Sequence, residues 1–584
     1  MASLPSTEIQ EAVVPSLLTA FATGVLDPGV FQRFPEQDES DRKAGSARIE
    51  ELERLLTERL DAEEVDRRGV FPEGFLEELR ARGFLRLQNE GDVGGLELSV
   101  YNTFRLVEQA CRTSVPVGQF LSVQAGVGVA ALLPTLPPGP LRDHVRRRVA
   151  EGVTSAFAVT EPTGRNNVWP GTTASLSADG THYVLHGQKL FTGGGPVAEL
   201  VAVSAALGEG ARRRFCVCFV AADSEGYAVT ASSEFTGSKG LPNGALSLDG
   251  VRVPAELVLV GEEGDPRFPA ATPLMGPTAL LGQLYFNSGP AVALAKNCVE
   301  WTRQFVARRA VNGRPLGSYE QIQRLVAQSL SEVYALESVV RWSLIGSKLA
   351  DRWLERTLIK NISVRTAWRV VDRTVSLLGG EGIETVRSKT LRGAAPLPVE
   401  RAFRDARGLR VAGNVDFQLD FTGMCQLLSW LYDADRPPAE PLRAAGYPAA
   451  WTAALSPANA AHLRAAERHL KRFNETCREL VHTHPDRAEL FARQRVVVLL
   501  GRLAGELFAV LTVLARSGSA AADGTSTDTA QTLAELYCAD ADHRIAGLWR
   551  RYVAVSQEGR SAPDFAALSG RWLAGAALME LTGP

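Results

Sequence analysis

The chain has 584 residues, which is too long for one hydrophobic core and predicts about three to five compact units. Its formal net charge of −3 excludes a global basic field, so we expect no nucleic-acid partner. The seven cysteines form no C-x-x-C pair, and the first residues lack the basic and apolar regions of a secretory signal. These features lead us to expect a cytoplasmic protein.

Hydrophobic periodicity changes twice along the chain. Apolar positions three and four apart between charges, as at Ile49, Leu52 and Leu56, predict helices before residue 153 and again from about residue 280. Between them, short apolar runs with turn signals such as Asp179-Gly180 predict about six short strands in an antiparallel sandwich or barrel. The sequence therefore predicts a mainly α protein with a central β domain.

The same changes in hydrophobic periodicity, together with Pro-rich stretches, define the boundaries of the predicted segments. These are an N-terminal arm (1–45), an N-terminal helical domain (46–153), a middle β domain (154–272), a helical bundle domain (273–432), a Pro-rich linker (433–450) and a C-terminal helical domain (451–584). Within the last domain, apolar residues between Leu463 and Leu480 recur as on one helix face, and 496–515 reads as a buried helix. The Ser/Gly/Ala-rich stretch 516–528 predicts a flexible loop.

Six short motifs follow one another across this helix–sheet–helix order. They are FAVTEP (157–162), HGQKLF with a glycine turn (186–195), LDGVRVP (248–254), RRAVNGRPL (308–316), LGGEG (378–382) and VERAFRDAR (399–407). Each is common alone, but together over residues 50 to 432 they resemble the acyl-CoA dehydrogenase family. The additional arm and C-terminal helices are similar to the layout of the very-long-chain acyl-CoA dehydrogenase branch, including its complex I assembly-factor relative.

This resemblance implies a fold and a chemistry. The fold would comprise an N-terminal helical domain, a small antiparallel β domain, a C-terminal four-helix bundle and an extra C-terminal helical domain. The cofactor would be FAD, which in this family accepts a hydride from Cβ of an acyl thioester while a glutamate removes the α-proton. The implied substrate is acyl-CoA or an acyl carrier protein, in fatty acid metabolism. The implied assembly is a homodimer.

The resemblance also assigns cofactor-binding positions. Those matched in this sequence are Phe157, Thr160, Phe191, Gly193, Arg309, Gly379 and Gly380. Phe191 stands where a tryptophan usually covers the flavin, and Gly193 replaces a usual Ser or Thr. Arg309 would pair with the FAD pyrophosphate of the partner subunit. The usual aromatic residue three positions after Arg309 is Asn312, and the usual GSD turn after the TEP motif is changed at 163–167.

The catalytic position departs most from the family pattern. Counting from Arg404, the usual Glu-Gly-Thr reads Gly413-Asn414-Val415, so no proton acceptor stands at the base position and the usual Thr contact is lost. Some relatives carry the base on the first helix of the bundle domain, and the matching residue here is Gly282. Asp416 and Glu381 are weak substitutes that we read as surface acids.

Two interpretations stay open. The first is a flavoenzyme of this family that acts on an acyl thioester without the standard base. The second is a pseudoenzyme that serves as a scaffold, an assembly factor or a non-catalytic subunit, with or without FAD. The resemblance further implies peripheral membrane contact through the C-terminal region, although the pattern of Leu463–Leu480 favours core packing. We expect no metal site, because His482-Thr483-His484 has no accompanying acid pattern.

Overall fold

The structure is a computed structural model that describes residues 17–26, 34–164, 166–265, 276–347, 352–432, 449–522, 528–557 and 564–575. The predicted linker 433–450 lies outside these residues except for its last two. An N-terminal helical domain, a central sheet, a helical bundle and further C-terminal helices follow one another along the chain. The mainly α fold with a central β domain is therefore confirmed.

Eight α-helices precede the sheet within the described residues. They are α1 (Leu18–Thr23), α2 (Glu39–Arg59), α3 (Ala62–Arg68), α4 (Phe75–Ala81), α5 (Val100–Thr113), α6 (Val115–Gly126), α7 (Val129–Leu132) and α8 (Pro140–Ala150). Asp38 caps α2 by accepting hydrogen bonds from two backbone N–H groups of the first turn. This helix therefore begins at Glu39, before the boundary at 46 that the sequence predicts.

The arm packs against distant parts of the chain. The backbone N–H of Leu17 donates to Glu355 Oε1 at 2.7 Å, and Asn474 donates to the carbonyl oxygen of Phe21 at 3.2 Å. The backbone N–H of Phe34 donates to Ser519 Oγ at 2.9 Å. The arm is thus held by the bundle and by the C-terminal helices.

The middle domain is one eight-stranded sheet. Its strands are β1 (Ser155–Ala158), β2 (Thr173–Leu176), β3 (His182–Gly193), β4 (Leu200–Leu207), β5 (Arg214–Ala221), β6 (Tyr227–Ser232), β7 (Asn243–Pro254) and β8 (Val258–Val260). The order is β6-β7-β3-β2-β4-β5-β8, with β1 also paired to β4. Most pairs are antiparallel, but β1 and β2 run parallel to β4, which corrects the prediction of a purely antiparallel domain.

The described helices of the bundle domain begin at Gly276. Its helices are α9 (Gly276–Gln283), α10 (Gly289–Arg308), α11 (Glu320–Leu344), α12 (Trp353–Leu378), α13 (Gly380–Ile383), α14 (Val386–Leu391), α15 (Val399–Leu409) and α16 (Asp416–Tyr432). One turn of π-helix, Leu284–Ser288, joins α9 to α10. A two-residue hairpin joins β9 (Ala310–Val311) to β10 (Arg314–Pro315) through Asn312 and Gly313, both at positive φ. Asn312 is therefore a residue of an Asn-Gly turn.

After residue 448, the part of the chain that the structure describes adds six helices to the same core. They are α17 (Ala449–Ala454), α18 (Pro457–Thr483), α19 (Arg487–Ala492), α20 (Gln494–Ala522), α21 (Asp528–Ser556) and α22 (Phe565–Leu573). The apolar face from Leu463 to Leu480 is buried in α18, as core packing predicts. The prediction of a flexible loop at 516–528 is wrong for 516–522, which continue α20.

Two apolar helical stretches, Val115–Thr135 and Gln494–Ala520, are long enough by length and composition to cross a membrane. Most residues of both stretches are buried inside the protein, as they are in the core helices of soluble proteins. The predicted buried helix at 496–515 lies within the second stretch.

Candidate functional site

An aromatic surface lies at the end of β3. Phe191 has a φ of +53° and sits in a β-bulge between Lys189 and Thr192, which turns its ring outward. The ring is 59% exposed and lies 6.1 Å from the ring of Phe235, which is also exposed. Phe157, in β1, is half-buried. A flat aromatic ligand would find an open apolar face here.

Glu161 stands behind this surface and serves the fold. Its carboxylate accepts hydrogen bonds from the backbone N–H of Gly171 and Thr172, from Thr172 Oγ1, and from Lys189 Nζ at 2.7 Å. Burial alone would raise the pKa of Glu161, but the hydrogen bonds and the charge of Lys189 hold it below its ordinary value. These contacts give Glu161 a structural role in the turn that follows β1. They also fix the chain beside Thr160, whose carbonyl accepts from the backbone N–H of Leu190.

Gly193 leaves room beside this surface. A Cβ on Gly193 would meet Val123 Cγ2 at 3.4 Å and Asn243 Nδ2 at 3.8 Å, which are ordinary contact distances. Asn243 donates to the carbonyl oxygen of Phe191 at 3.3 Å, and its buried Oδ1 has no partner within the described chain. The open ring of Phe191, the space at Gly193 and this orphaned acceptor fit a flavin, which carries both a flat ring and an N–H donor.

Helix α6 connects this surface to the bundle. Near its end, Gln124 Nε2 donates to the carbonyl of Ser155 at 2.9 Å, which ties the helix to β1. Two residues further along α6, Gly126 lies against Gly282 of α9, so closely that a Cβ on Gly126 would be 2.2 Å from Gly282 Cα. The strand residues predicted to line the flavin and the two predicted base positions therefore belong to one continuous region.

Gly413 lies in that region with a left-handed backbone. Its φ is +64°, and Asn414, which stands at the glycine of the usual Glu-Gly-Thr, has a φ of +82°. A Cβ on Gly413 would lie 2.9 Å from Asn287 Nδ2 and 3.7 Å from Gln283 Cγ. The loop and the start of the bundle thus face each other, as the resemblance implies for the two alternative base positions.

At Gly282, as at Gly413, there is no space for a side chain. A Cβ on Gly282 would lie 2.8 Å from Val127 Cγ1 and 3.1 Å from the carbonyl carbon of Gly126. Since the second contact is with backbone, a side chain could enter only if α6 and α9 moved apart. The close approach of the two helices explains why both positions are glycine.

Lys360, from α12, holds the Gly413 loop from inside. Its side chain is fully buried, and Nζ donates to the carbonyl oxygen of Asn414 at 2.8 Å. Burial lowers the pKa of Lys360 to about 8, although the charge of nearby Asp416 opposes this shift. The loop is therefore fixed at Asn414.

Neither substitute acid is free. Asp416 is buried, and its Oδ2 accepts from Arg410 Nη2 at 2.7 Å and from Arg365 Nε at 3.3 Å. Burial would raise the pKa of Asp416, but these two arginines hold it below its ordinary value. Glu381 is half-buried and accepts from Arg308 Nη2 at 2.5 Å. The prediction that both are surface acids is wrong for Asp416, which is an internal ion-pair residue.

The remaining predicted cofactor residues lie on the outside of the subunit. Arg309, Gly379 and Gly380 are exposed, and a Cβ on either glycine would meet nothing within 4 Å. The resemblance places Arg309 against the cofactor of a partner subunit, and an exposed side chain is accessible to such a partner.

Sequence reasoning missed three residues of this region: Phe235, Asn287 and Lys360. Phe235 lies in a segment that none of the six motifs covers, and Asn287 and Lys360 lie on helices where a single polar residue has no pattern. Among the described residues, no group of three or more His, Cys, Asp or Glu could hold a metal ion.

Comparison with known proteins agrees with this geometry. The family profiles "Acyl-CoA dehydrogenase, N-terminal domain", "middle domain" and "C-terminal domain" match residues 46–135, 156–251 and 287–420. A similar protein is the probable acyl-CoA dehydrogenase FadE10 of Mycobacterium tuberculosis (strain ATCC 25618 / H37Rv), 28% identical over 570 residues that cover 92% of this chain and 85% of that protein. The 3-sulfinopropanoyl-CoA desulfinase of Advenella mimigardefordensis is 22% identical over 59% of this chain and 83% of its own length.

Among solved structures, an acyl-CoA dehydrogenase complexed with FAD from Bacillus anthracis superposes with a TM-score of 0.75 at 19% identity. The superposition covers 97% of this chain and 95% of that one, so the fold extends through the C-terminal helices. The chain belongs to the acyl-CoA dehydrogenase family, and FAD is its expected cofactor.

Proposed function

We propose that the protein is a flavoprotein that binds an acyl thioester, of CoA or of a carrier protein, and does not catalyse ordinary α,β-dehydrogenation. The observation that carries this proposal is the contact between Gly413 and Asn287. The space into which a catalytic side chain would project from position 413 is taken by a carboxamide, which is not a base.

The other candidate bases support the same proposal. Gly282 is closed by backbone of α6, Asp416 is paired with two arginines, and Glu381 is paired with Arg308. Family membership alone does not require dehydrogenation, because one similar protein carries the name of a desulfinase.

FAD, when bound, supplies two-electron redox chemistry. Phe157, Thr160, Phe191 and Gly193 would hold it on the aromatic surface. We further propose a homodimer, in which Arg309 with Gly379 and Gly380 would bind the cofactor of the other subunit. Their exposure and the free space around both glycines support this arrangement. Light scattering after size-exclusion chromatography would measure the mass of the assembly.

The experiment begins with the flavin spectrum of the purified protein. We expect an absorption band of bound flavin, thermal stabilisation by added FAD, and spectral perturbation without bleaching when butyryl-CoA or palmitoyl-CoA is added without oxygen. Rapid bleaching would contradict the proposal, because it requires a base that these residues do not offer. A colourless protein that FAD does not stabilise would instead favour a scaffold, an assembly factor or a non-catalytic subunit.

A further inference from the structure

The carboxamide of Asn287 is a buried polar group with unused hydrogen-bonding capacity. Asn287 lies in the π-helical turn Leu284–Ser288 and is fully buried. Its Nδ2 donates one hydrogen to the carbonyl oxygen of Gln283 at 3.1 Å. In the described residues, Oδ1 and the second N–H have no partner. An unpaired buried acceptor destabilises the folded protein, so a ligand that pairs with it would be favoured.

The position of this group is defined on two sides. Nδ2 lies 2.9 Å from the point that a Cβ on Gly413 would occupy, so the amide faces the place of the usual catalytic glutamate. The bond to Gln283 fixes the orientation of the amide, because the flipped form would set Oδ1 against another oxygen. π-Helical turns occur frequently at functional sites, where the extra residue redirects a side chain.

The chemistry of the group indicates what it would recognise. The Asn287 carboxamide has one N–H donor and one acceptor left, and a hydroxyl is the small group that can use both. A saturated acyl chain can use neither. Resting on the function proposed above, we propose that Asn287 binds the acyl group and selects thioesters with a hydroxyl on the α- or β-carbon.

Isothermal titration of the FAD-saturated full-length protein tests this proposal. The probes are butyryl-CoA, 2-hydroxybutyryl-CoA and 3-hydroxybutyryl-CoA, which have the same chain length. At least one hydroxylated thioester should bind about tenfold more tightly than butyryl-CoA, as expected for two hydrogen bonds of ordinary net strength. Equal affinities would overturn the proposal. If none of the three binds, the proposed function itself fails.

Two variants locate the effect. Asn287→Leu keeps the branched shape of the side chain and removes both polar groups, so the preference should fall to about onefold while butyryl-CoA still binds. Asn287→Ala removes the same groups and leaves more space, so the same loss is expected, and it serves if the leucine variant does not fold. The control is Asn474→Ala, which removes a buried asparagine that binds the arm. A preference unchanged in both Asn287 variants would overturn the proposal.

Discussion

Asp405 Oδ1 accepts a hydrogen bond from the backbone N–H of Ser238 at 2.6 Å. This contact joins α15 of the bundle to the segment before β7, which also carries Phe235. Because Phe235 packs beside Phe191, the position of the aromatic surface depends on the bundle as well as on the sheet. Ser238 has a φ of +53°, so the turn is held in a conformation that it would not favour alone.

Asp405 predicts a pH dependence of stability. The side chain is buried, and burial raises its pKa from 3.8 to about 6 although Arg401 and Arg404 lie nearby. The folded protein therefore holds this proton more tightly than the unfolded chain, and the stabilisation is lost as the pH rises through about 6. Asp405→Asn removes the titration and keeps the acceptor. Relative to wild type, we expect the variant to gain up to about 3 kcal/mol of unfolding free energy between pH 4 and pH 7.

Urea denaturation across this pH range measures the effect. Asp405→Ala is the matched variant, because it removes the charge and also leaves the Ser238 N–H without its acceptor. It should be less stable than Asp405→Asn by about 1–3 kcal/mol at every pH. Parallel pH profiles of wild type and Asp405→Asn would contradict the assignment.

Gly237 predicts a link between this turn and flavin binding. A Cβ there would lie 2.5 Å from the carbonyl oxygen of Arg404, so Gly237→Ala must displace the turn that carries Phe235. We expect at least a tenfold loss of FAD affinity, measured by quenching of flavin fluorescence. Gly408→Ala is the control in α15, the helix that carries Arg404, since a Cβ there meets nothing within 4 Å. An equal FAD affinity in both variants would show that the turn does not position the cofactor.

Gly413 and Asn287 predict a coupled pair of substitutions. Gly413→Glu places a side chain at positive φ and 2.9 Å from a buried amide, so it should destabilise the protein by about 1–3 kcal/mol. Adding Asn287→Ala opens the space, so the double variant should recover part of the stability and should bleach flavin with acyl-CoA faster than Gly413→Glu. A double-mutant cycle in thermal denaturation measures the coupling. Strict additivity would mean that the two residues do not compete for space.

Gly126 predicts a steric limit between α6 and α9. Gly126→Ala brings a Cβ to 2.2 Å from Gly282 Cα. Because the atoms it meets belong to the backbone of α9, the two helices must separate. We expect a loss of about 1–3 kcal/mol or more in unfolding free energy. Gly505→Ala is the control, because its Cβ would meet Ile362 Cγ1 at an ordinary 3.6 Å. Similar melting temperatures for the two variants would disprove the close helix contact.

The sequence predicts the order of helical and β regions because the two hydrophobic periods differ along the chain. It does not predict the parallel pairing of β1 and β2 with β4, since turn signals identify only neighbouring strands.

The prediction of a flexible loop is wrong for Arg516 to Ala522 for another reason. Gly518 is small because a Cβ there would lie 2.1 Å from Trp451 Nε1, and Ser519 is buried as the acceptor for Phe34. Small residues here serve close packing, although they resemble a flexible loop.

In the candidate site, too, the sequence predicts the residues that lie in a motif and does not predict those whose role depends on distant contacts. Gly413 can be found by counting from Arg404, because the motif before it is intact. Asn287 cannot, because its role depends on a π-helical turn and on contact with a loop 126 positions later in the sequence. The sequence does not predict that Asp416 is internal, because nothing local indicates that Arg365, on another helix, pairs with it.

The docking of the arm bears on the order of events during synthesis. Phe34 and Ser519 are separated by 485 positions, so their hydrogen bond cannot form until the ribosome has made most of the chain. Leu17 and Phe21 are buried in the folded protein. Until α18 and α20 have been synthesised, both side chains remain exposed to water or bound by chaperones. Leu17, Phe21 and Phe34 are therefore made before the helices that hold them and are among the last residues to reach their final places.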